Sequence, residues 1–308
     1  MNYVTDIDRD KALLLIDSSI QAYTALSGAA GVKPPAGFEL VDTWTGVDNI
    51  FGMDKTIESY GVVFRSLKAP YTYVFAFRGT ATIMDILDDM GAQSRDFTPF
   101  DRSVSVDSAV RVEAGFFDVY SDSDDETPSM QTQVFGLLDK YLASDKPVDR
   151  LYITGHSLGA SLSELFTIDV ALSRPDLKNV SNYNYACPRV GNAAFVDLCM
   201  QQPAQQDPTT RTLRIQNTHD RVPCVPPEAL GYRHLPYAYL VSFVKDSWSG
   251  IDLAFIVHNH ASGNYQAVLQ CALKSPTGVC VNDALVVSGE DYKLKSQKPD
   301  PDDVCCLW

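Results

Sequence analysis

Basic residues are scarce in this 308-residue chain: Lys and Arg number 25 against 39 Asp and Glu, a formal net charge of −14. Such a surface repels a phosphate backbone, which argues against nucleic acid as a partner. No apolar run approaches the roughly 20 residues that span a bilayer, so no transmembrane segment is expected. The opening residues, Met1-Asn2-Tyr3-Val4-Thr5-Asp6-Ile7-Asp8, lack a basic stretch followed by an apolar one, and no signal peptide is visible. The expectation is a cytosolic protein or one whose leader has been removed. C-x-x-C and H-E-x-x-H are both missing, so no metal site is expected. The seven cysteines are odd in number and all lie in the second half, which speaks against a dense disulfide scaffold and for buried free thiols. Cys271 and Cys280 flank the turn-like Ser275-Pro276-Thr277-Gly278, which leaves a pairing between them open. The end, Cys305-Cys306-Leu307-Trp308, has the outline of a prenylation box but finishes on the wrong residue. The acidic run Ser121 to Ser129 lacks the glycine and terminal Glu of a calcium loop and reads as a solvated loop.

Against these absences stands one dense stretch, Leu151-Tyr152-Ile153-Thr154-Gly155-His156-Ser157-Leu158-Gly159-Ala160-Ser161. It reads as a short apolar strand, a G-x-S-x-G turn and a helix starting at Ala160. A reversal this tight holds the central serine in a strained backbone and lifts its hydroxyl above the sheet edge, so Ser157 is the candidate nucleophile. Side chains at Gly155 or Gly159 would force the strand and helix apart. The amide of Leu158, at the new helix's N-terminus, would face a developing negative charge.

The rest of the chain reads as alternating strand and helix, a pattern that points to an α/β sheet with much parallel pairing. An amphipathic helix is expected over Lys11 to Leu26, and two strands in a hairpin over Gly61 to Leu67 and Tyr71 to Phe77. A helical period follows Thr82, with Ile83, Met84, Ile86, Leu87 and Met90 on one side. Met130 to Leu142 and Ala193 to Met200 read as helices, Val180 to Ala186 and Thr212 to Gln216 as strands. The run Ile251 to Val257 looks strand-like, with an amphipathic helix carrying Tyr265, Val268, Leu269 and Ala272 after it. With 45% hydrophobic residues and no visible linker, residues 1–288 are expected to form one domain. The Lys/Asp/Pro-rich segment 289–308 reads as a loosely held tail.

A serine nucleophile needs a base, and histidine is the usual one. His156 shares the sharp turn with Ser157 and should point elsewhere. The order in a sheet of this kind is Ser, then acid, then His. Asp220 follows the strand ending near Gln216 in a loop stiffened by Pro223, Pro226 and Pro227, and suits the orienting role; Asp169 and Asp197 fall within helices and fit worse. Chain order then removes His219 and leaves His234, His258 and His260, of which His260 lies nearest the loop before the last helix and His258 is the alternative.

These residues resemble the fungal-type, or class 3, lipases of the α/β-hydrolase superfamily. The resemblance rests on Phe77-Arg78-Gly79-Thr80, Gly115-Phe116 with Tyr120, Gly155-His156-Ser157-Leu158-Gly159-Ala160, Asp220-Arg221-Val222-Pro223, and His260 followed by Tyr265 and Leu269. It implies an α/β-hydrolase fold, a central and mostly parallel sheet flanked by helices, with a short helical lid over about Ala81 to Gly91. It implies that Thr80 adds an oxyanion donor to Leu158, and it favours His260 over His258. One departure is Glu113, where the family carries a His. The substrate implied is a lipid ester, triacylglycerol foremost, met at a lipid–water interface and cleaved without a cofactor through Ser157, Asp220 and His260. A phospholipase A1 or a feruloyl or aryl esterase is the neighbouring alternative, and a non-catalytic fold that binds a lipid or a partner is the alternative of another class.

Overall fold

The computed structural model describes residues 2–48, 56–80, 93–245 and 253–304. Its centre is an eight-stranded sheet. In chain order the strands are β1 (Asn2–Tyr3), β2 (Phe38–Asp48), β3 (Thr56–Ser66), β4 (Thr72–Phe77), then, after the short β5 (Ser94–Asp96) and β6 (Arg111–Glu113) of a second sheet, β7 (Arg150–His156) and β8 (Val180–Tyr185). β9 (Gly191–Asn192) joins the second sheet; β10 (Leu213–Asn217) returns to the first, β11 (Tyr232–Arg233) to the second, and β12 (Tyr237–Val241) completes the first. The spatial order is β1-β12-β10-β8-β7-β4-β3-β2. Pairing is parallel from β1 to β4 and antiparallel at β4–β3 and β3–β2, so only β3 runs against the rest. This is the mostly parallel sheet of an α/β-hydrolase.

Central strands of such a sheet are covered on both faces and alternate between two cores. On β4, Tyr73, Phe75 and Phe77 enter one core with Phe135 and Phe166, whereas Val74 and Ala76 enter the other with Leu15 and Tyr265. The first core lies under helices Ala114–Ser121, Met130–Leu142 and Leu158–Ser173, and the second under helices Arg9–Thr24 and Ser262–Lys274. The helix Leu158–Ser173 is buried on nearly every side, enclosed by the sheet and by neighbouring helices, and carries polar residues such as Ser163 and Asp169 into the interior. Its Asp169, fully buried, accepts hydrogen bonds from Phe100 N–H (2.7 Å), Gln131 Nε2 (2.7 Å), the Tyr120 hydroxyl (2.9 Å) and Ser173 Oγ (2.9 Å). That side chain fastens a loop to the helix, which accounts for a buried carboxylate far from any reaction.

Ile251 to Val257 was expected to be a strand; from Leu253 the chain is instead a helix, Leu253–His260. The expected helices Met130–Leu142 and Ala193–Met200 form with those bounds. The expected lid residues Ile83, Met84, Ile86, Leu87 and Met90 lie outside the described residues. The strand β13 (Phe243–Lys245), before helices 253–260 and 262–274, and the strands β14 (Asn282–Val286) and β15 (Lys293–Ser296), after them, make a third sheet, in the order β13-β15-β14. Leu294 and Ser296 on β15 are buried. The Lys/Asp/Pro-rich composition that suggested a loose segment therefore includes the middle strand of a sheet. Cys271 and Cys280 are joined by a disulfide, Cys224 is also disulfide-bonded, and Cys187 and Cys199 are buried free thiols.

Candidate active site

The site is built where β7 ends. His156 closes the strand, Ser157 makes the turn and the helix starts at Leu158, two residues earlier than the spacing suggested. Ser157 holds φ 61° and ψ −131°, a conformation that L-residues rarely adopt and that costs about 1–3 kcal/mol. Two glycines allow it. A Cβ on Gly155 would stand 2.0 Å from the Gly159 carbonyl oxygen, and one on Gly159 would stand 2.3 Å from the carbonyl oxygen of Phe77 on β4. Leu158, as the first residue of its helix, has no intrahelical acceptor for its N–H.

The end of β4 reaches the serine from the side. Arg78, almost wholly buried, donates from Nε to the Ser59 carbonyl (2.8 Å) and from its terminal nitrogen to Glu58 (2.7 Å), with its guanidinium stacked 4.5 Å over the Tyr60 ring. These contacts fix the chain at Gly79, whose hypothetical Cβ would lie 3.1 Å from the Ser157 Cβ. Thr80, the next residue, is half-buried. The closeness of Gly79 to Ser157 is what brings Thr80 to that neighbourhood.

Asp220 lies past the end of β10, buried at 1% exposure, and accepts three hydrogen bonds. Val222 N–H donates to Oδ1 (3.0 Å), while the Tyr265 hydroxyl (2.8 Å) and His260 Nδ1 (2.9 Å) both reach Oδ2. Tyr265 is oriented in turn by Asn217 N–H, which donates to its oxygen at 3.0 Å. The carboxylate thus fixes Nδ1 as the protonated nitrogen of His260 and leaves Nε2 as the basic one. Nε2 is buried and has no hydrogen-bond partner among the described residues. A buried polar nitrogen without a partner is uncommon and is expected at a reactive centre.

His156 and His260 are neighbours, with ring centroids 4.5 Å apart. The His156 side chain turns away from the serine and takes a supporting role: its Nε2 meets the His260 carbonyl oxygen at 2.7 Å, and its Nδ1 meets the Tyr23 hydroxyl at 2.9 Å. Since a carbonyl only accepts, Nε2 carries the proton and Nδ1 accepts from Tyr23. Burial, with the proximity of His260, pushes the His156 pKa well below its ordinary value and keeps it neutral. The other histidines are engaged elsewhere: His258 Nε2 with Lys245 Nζ at 2.7 Å, His234 Nε2 with the Pro223 carbonyl at 2.7 Å, and His219 Nε2 with Ser242 Oγ at 3.3 Å. Tyr23 and Asn217 carried no signal in the sequence, because their roles depend on partners far along the chain, His156 at 133 residues from Tyr23 and Tyr265 at 48 residues from Asn217.

Glu113, the departure from the family pattern, caps the helix Ala114–Ser121 by accepting from Phe116 N–H at 2.8 Å. Burial raises its pKa, and the hydrogen bonds from Phe116 and Gly115 oppose the shift. No group of His, Cys, Asp and Glu capable of holding a metal ion occurs among the described residues.

A strand–serine–helix elbow on a mostly parallel sheet, with an Asp–His pair beside it, defines an α/β-hydrolase. A family model described as Lipase (class 3) matches residues 74–230, half of the chain, and the chain belongs to that family. It is 29% identical over 179 residues to phospholipase A(1) DAD1 of Arabidopsis thaliana, covering 57% of this chain and 38% of that protein. It is 30% identical over 177 residues to the secreted mono- and diacylglycerol lipase MDL3 of Malassezia globosa, covering 57% of this chain and 54% of that protein. The chain therefore spans less than two thirds of the length of these relatives. Among solved structures it resembles the lipase from Rhizopus microsporus var. chinensis, with TM-score 0.57, 24% identity, and 78% of this chain and 75% of that one covered.

Proposed function

We propose that the chain is a serine carboxylic ester hydrolase of lipid esters, triacylglycerols foremost, working through an acyl-enzyme on Ser157. One observation carries the reading: the buried His260 is anchored by Asp220 through Nδ1, keeps Nε2 unbonded, and packs its ring 4.5 Å from that of His156, the residue before the strained Ser157. Hydrogen bonds between nucleophile and base are commonly loose in a free enzyme and tighten when substrate binds. In the reaction, Nε2 takes the proton of the Ser157 hydroxyl as its oxygen adds to the ester carbonyl. The imidazolium then returns that proton to the leaving alcohol as the C–O bond breaks. Water repeats the sequence against the acyl-enzyme, releasing the acid and restoring Ser157. Asp220 holds the tautomer and balances the transient positive charge. The N–H groups of Leu158 and Thr80, with the Thr80 hydroxyl, stabilise the oxyanion, where one donor is worth about 10² to 10³ in rate. None of these steps calls on a cofactor.

The second reading, a phospholipase A1, is favoured by the name of the plant relative. Emulsified triolein, phosphatidylcholine and methyl ferulate, compared side by side, separate the choices. Fastest turnover of triolein is expected; turnover of ferulate alone overturns the lipid reading, and a Ser157→Ala variant that still hydrolyses p-nitrophenyl esters at the wild-type rate overturns the mechanism. The apolar residues Ile83, Met84, Ile86, Leu87 and Met90, helically spaced in the sequence just after Thr80, support action at a lipid–water interface. Activity on a long-chain ester should jump at its solubility limit; a smooth rise through that limit argues against the interface.

A further inference from the structure

We infer that Tyr292, in the C-terminal segment beyond the last helix, is a positioning residue for His260 and acts by fixing the side-chain amide of Asn264. The inference rests on the ester-hydrolase reading. His260 ends helix 253–260, and Ala261 alone separates it from helix 262–274, whose N-cap has no side-chain hydrogen bond. A junction between helices this short leaves carbonyls at the end of one and N–H groups at the start of the next without intrahelical partners. Asn264, wholly buried, supplies the missing bonds. Its backbone N–H donates to the Ala261 carbonyl at 3.0 Å, and its Nδ2 donates to the His258 carbonyl at 2.6 Å, in the last turn before His260.

An asparagine amide can present either end, and only the nitrogen can serve the His258 carbonyl. The Tyr292 hydroxyl holds that orientation from the other end by donating to Asn264 Oδ1 at 3.1 Å. The Tyr292 ring also rests on the His258 imidazole, centroids 4.3 Å apart, and Lys245 Nζ lies 4.7 Å over the same ring while bonding His258 Nε2. Tyr292 stands directly before β15, which pairs with Phe243–Lys245 on one side and with β14 on the other. The third sheet thereby holds the turn that aims His260, while Asp220 and His156 hold the ring and the carbonyl of the same residue.

Without the Tyr292 hydroxyl the Asn264 amide loses its orientation, and the imidazole spends less time aligned with the serine. Substrate binding does not depend on that alignment. Tyr292→Phe should therefore lower kcat by about three- to tenfold, the range a single hydrogen bond spans, with KM within about twofold. The partner test is a double-mutant cycle. Asn264→Ala should lower kcat at least as much, and adding Tyr292→Phe to it should cost nothing further, because the hydroxyl acts through that amide. Melting curves taken alongside separate loss of alignment from loss of fold. A Tyr292→Phe enzyme with wild-type kcat, or a loss that multiplies fully with that of Asn264→Ala, overturns the inference while the wild-type enzyme remains active. A wild-type chain inactive on every ester overturns the hydrolase reading and takes this inference with it.

Discussion

Buried ionisable side chains divide into those the chemistry uses and those the fold must tolerate. Asp220 is surrounded by three donors and keeps an acceptor face toward His260. Glu164, seven residues after Ser157, is 3% exposed, with the Cys187 thiol 3.8 Å from its carboxylate, and burial pushes its pKa up to about 7 although the Arg214 guanidinium pulls the other way. The folded protein therefore holds this proton more tightly than the unfolded chain does. Between the unfolded value near 4.5 and about 7, rising pH releases the proton from the unfolded state first, so stability falls across that window and is level above it. Each unit of difference is worth about 1.4 kcal/mol, which makes the full loss a few kcal/mol. Glu164→Gln should remove this dependence. Urea midpoints at pH 4.5 and pH 8 are expected to lie closer together in the variant than in the wild type; an unchanged spacing contradicts this account of Glu164.

Among the elements, the elbow is the one in which sequence and geometry coincide most closely. Gly155 and Gly159 sit where any Cβ would strike backbone, and backbone cannot swing aside as a side chain can. Gly159→Ala should therefore destabilise the fold by about 3 kcal/mol or more, read as a urea midpoint shift; a shift below about 1 kcal/mol would show that the strand and helix can separate cheaply. The turn at Ser157 was legible from the motif, and the pairing of Asp220 with His260 from chain order combined with loop position. Helix Leu253–His260 was misread because a short apolar run fits a buried strand and a buried helix equally well. β2 (Phe38–Asp48) escaped notice because the adjacent Leu40 and Val41 break its alternation where the register shifts, and Glu39 and Asp42 add charge to the run. Both charges are tolerated on this edge strand by partners from elsewhere, Arg65 at 2.7 Å and Lys140 at 2.6 Å. Tyr23, Asn217 and Tyr292 act on residues brought near only by the assembled sheets, so no local pattern announces them.

For the whole molecule, the net charge of −14 sets an expectation for lipid surfaces of different charge. An acidic protein is repelled by an anionic bilayer, and salt screens the repulsion within about 10 Å at 0.1 M. Binding to phosphatidylglycerol vesicles should be weaker than to phosphatidylcholine vesicles and should rise with salt; tighter binding to the anionic vesicles would mean that a local basic face outweighs the total. No described helix is long and apolar enough to cross a membrane. The central claim is that the assembled sheet makes one serine nucleophilic through one imidazole. Its most direct test is mass spectrometry of the folded protein after exposure to a fluorophosphonate, with His260→Ala treated in parallel. The account predicts a single phosphonyl adduct, mapped to Ser157 and formed at least about 10³ times more slowly without His260. Labelling elsewhere, or labelling of Ser157 at the same rate in both proteins, would contradict it.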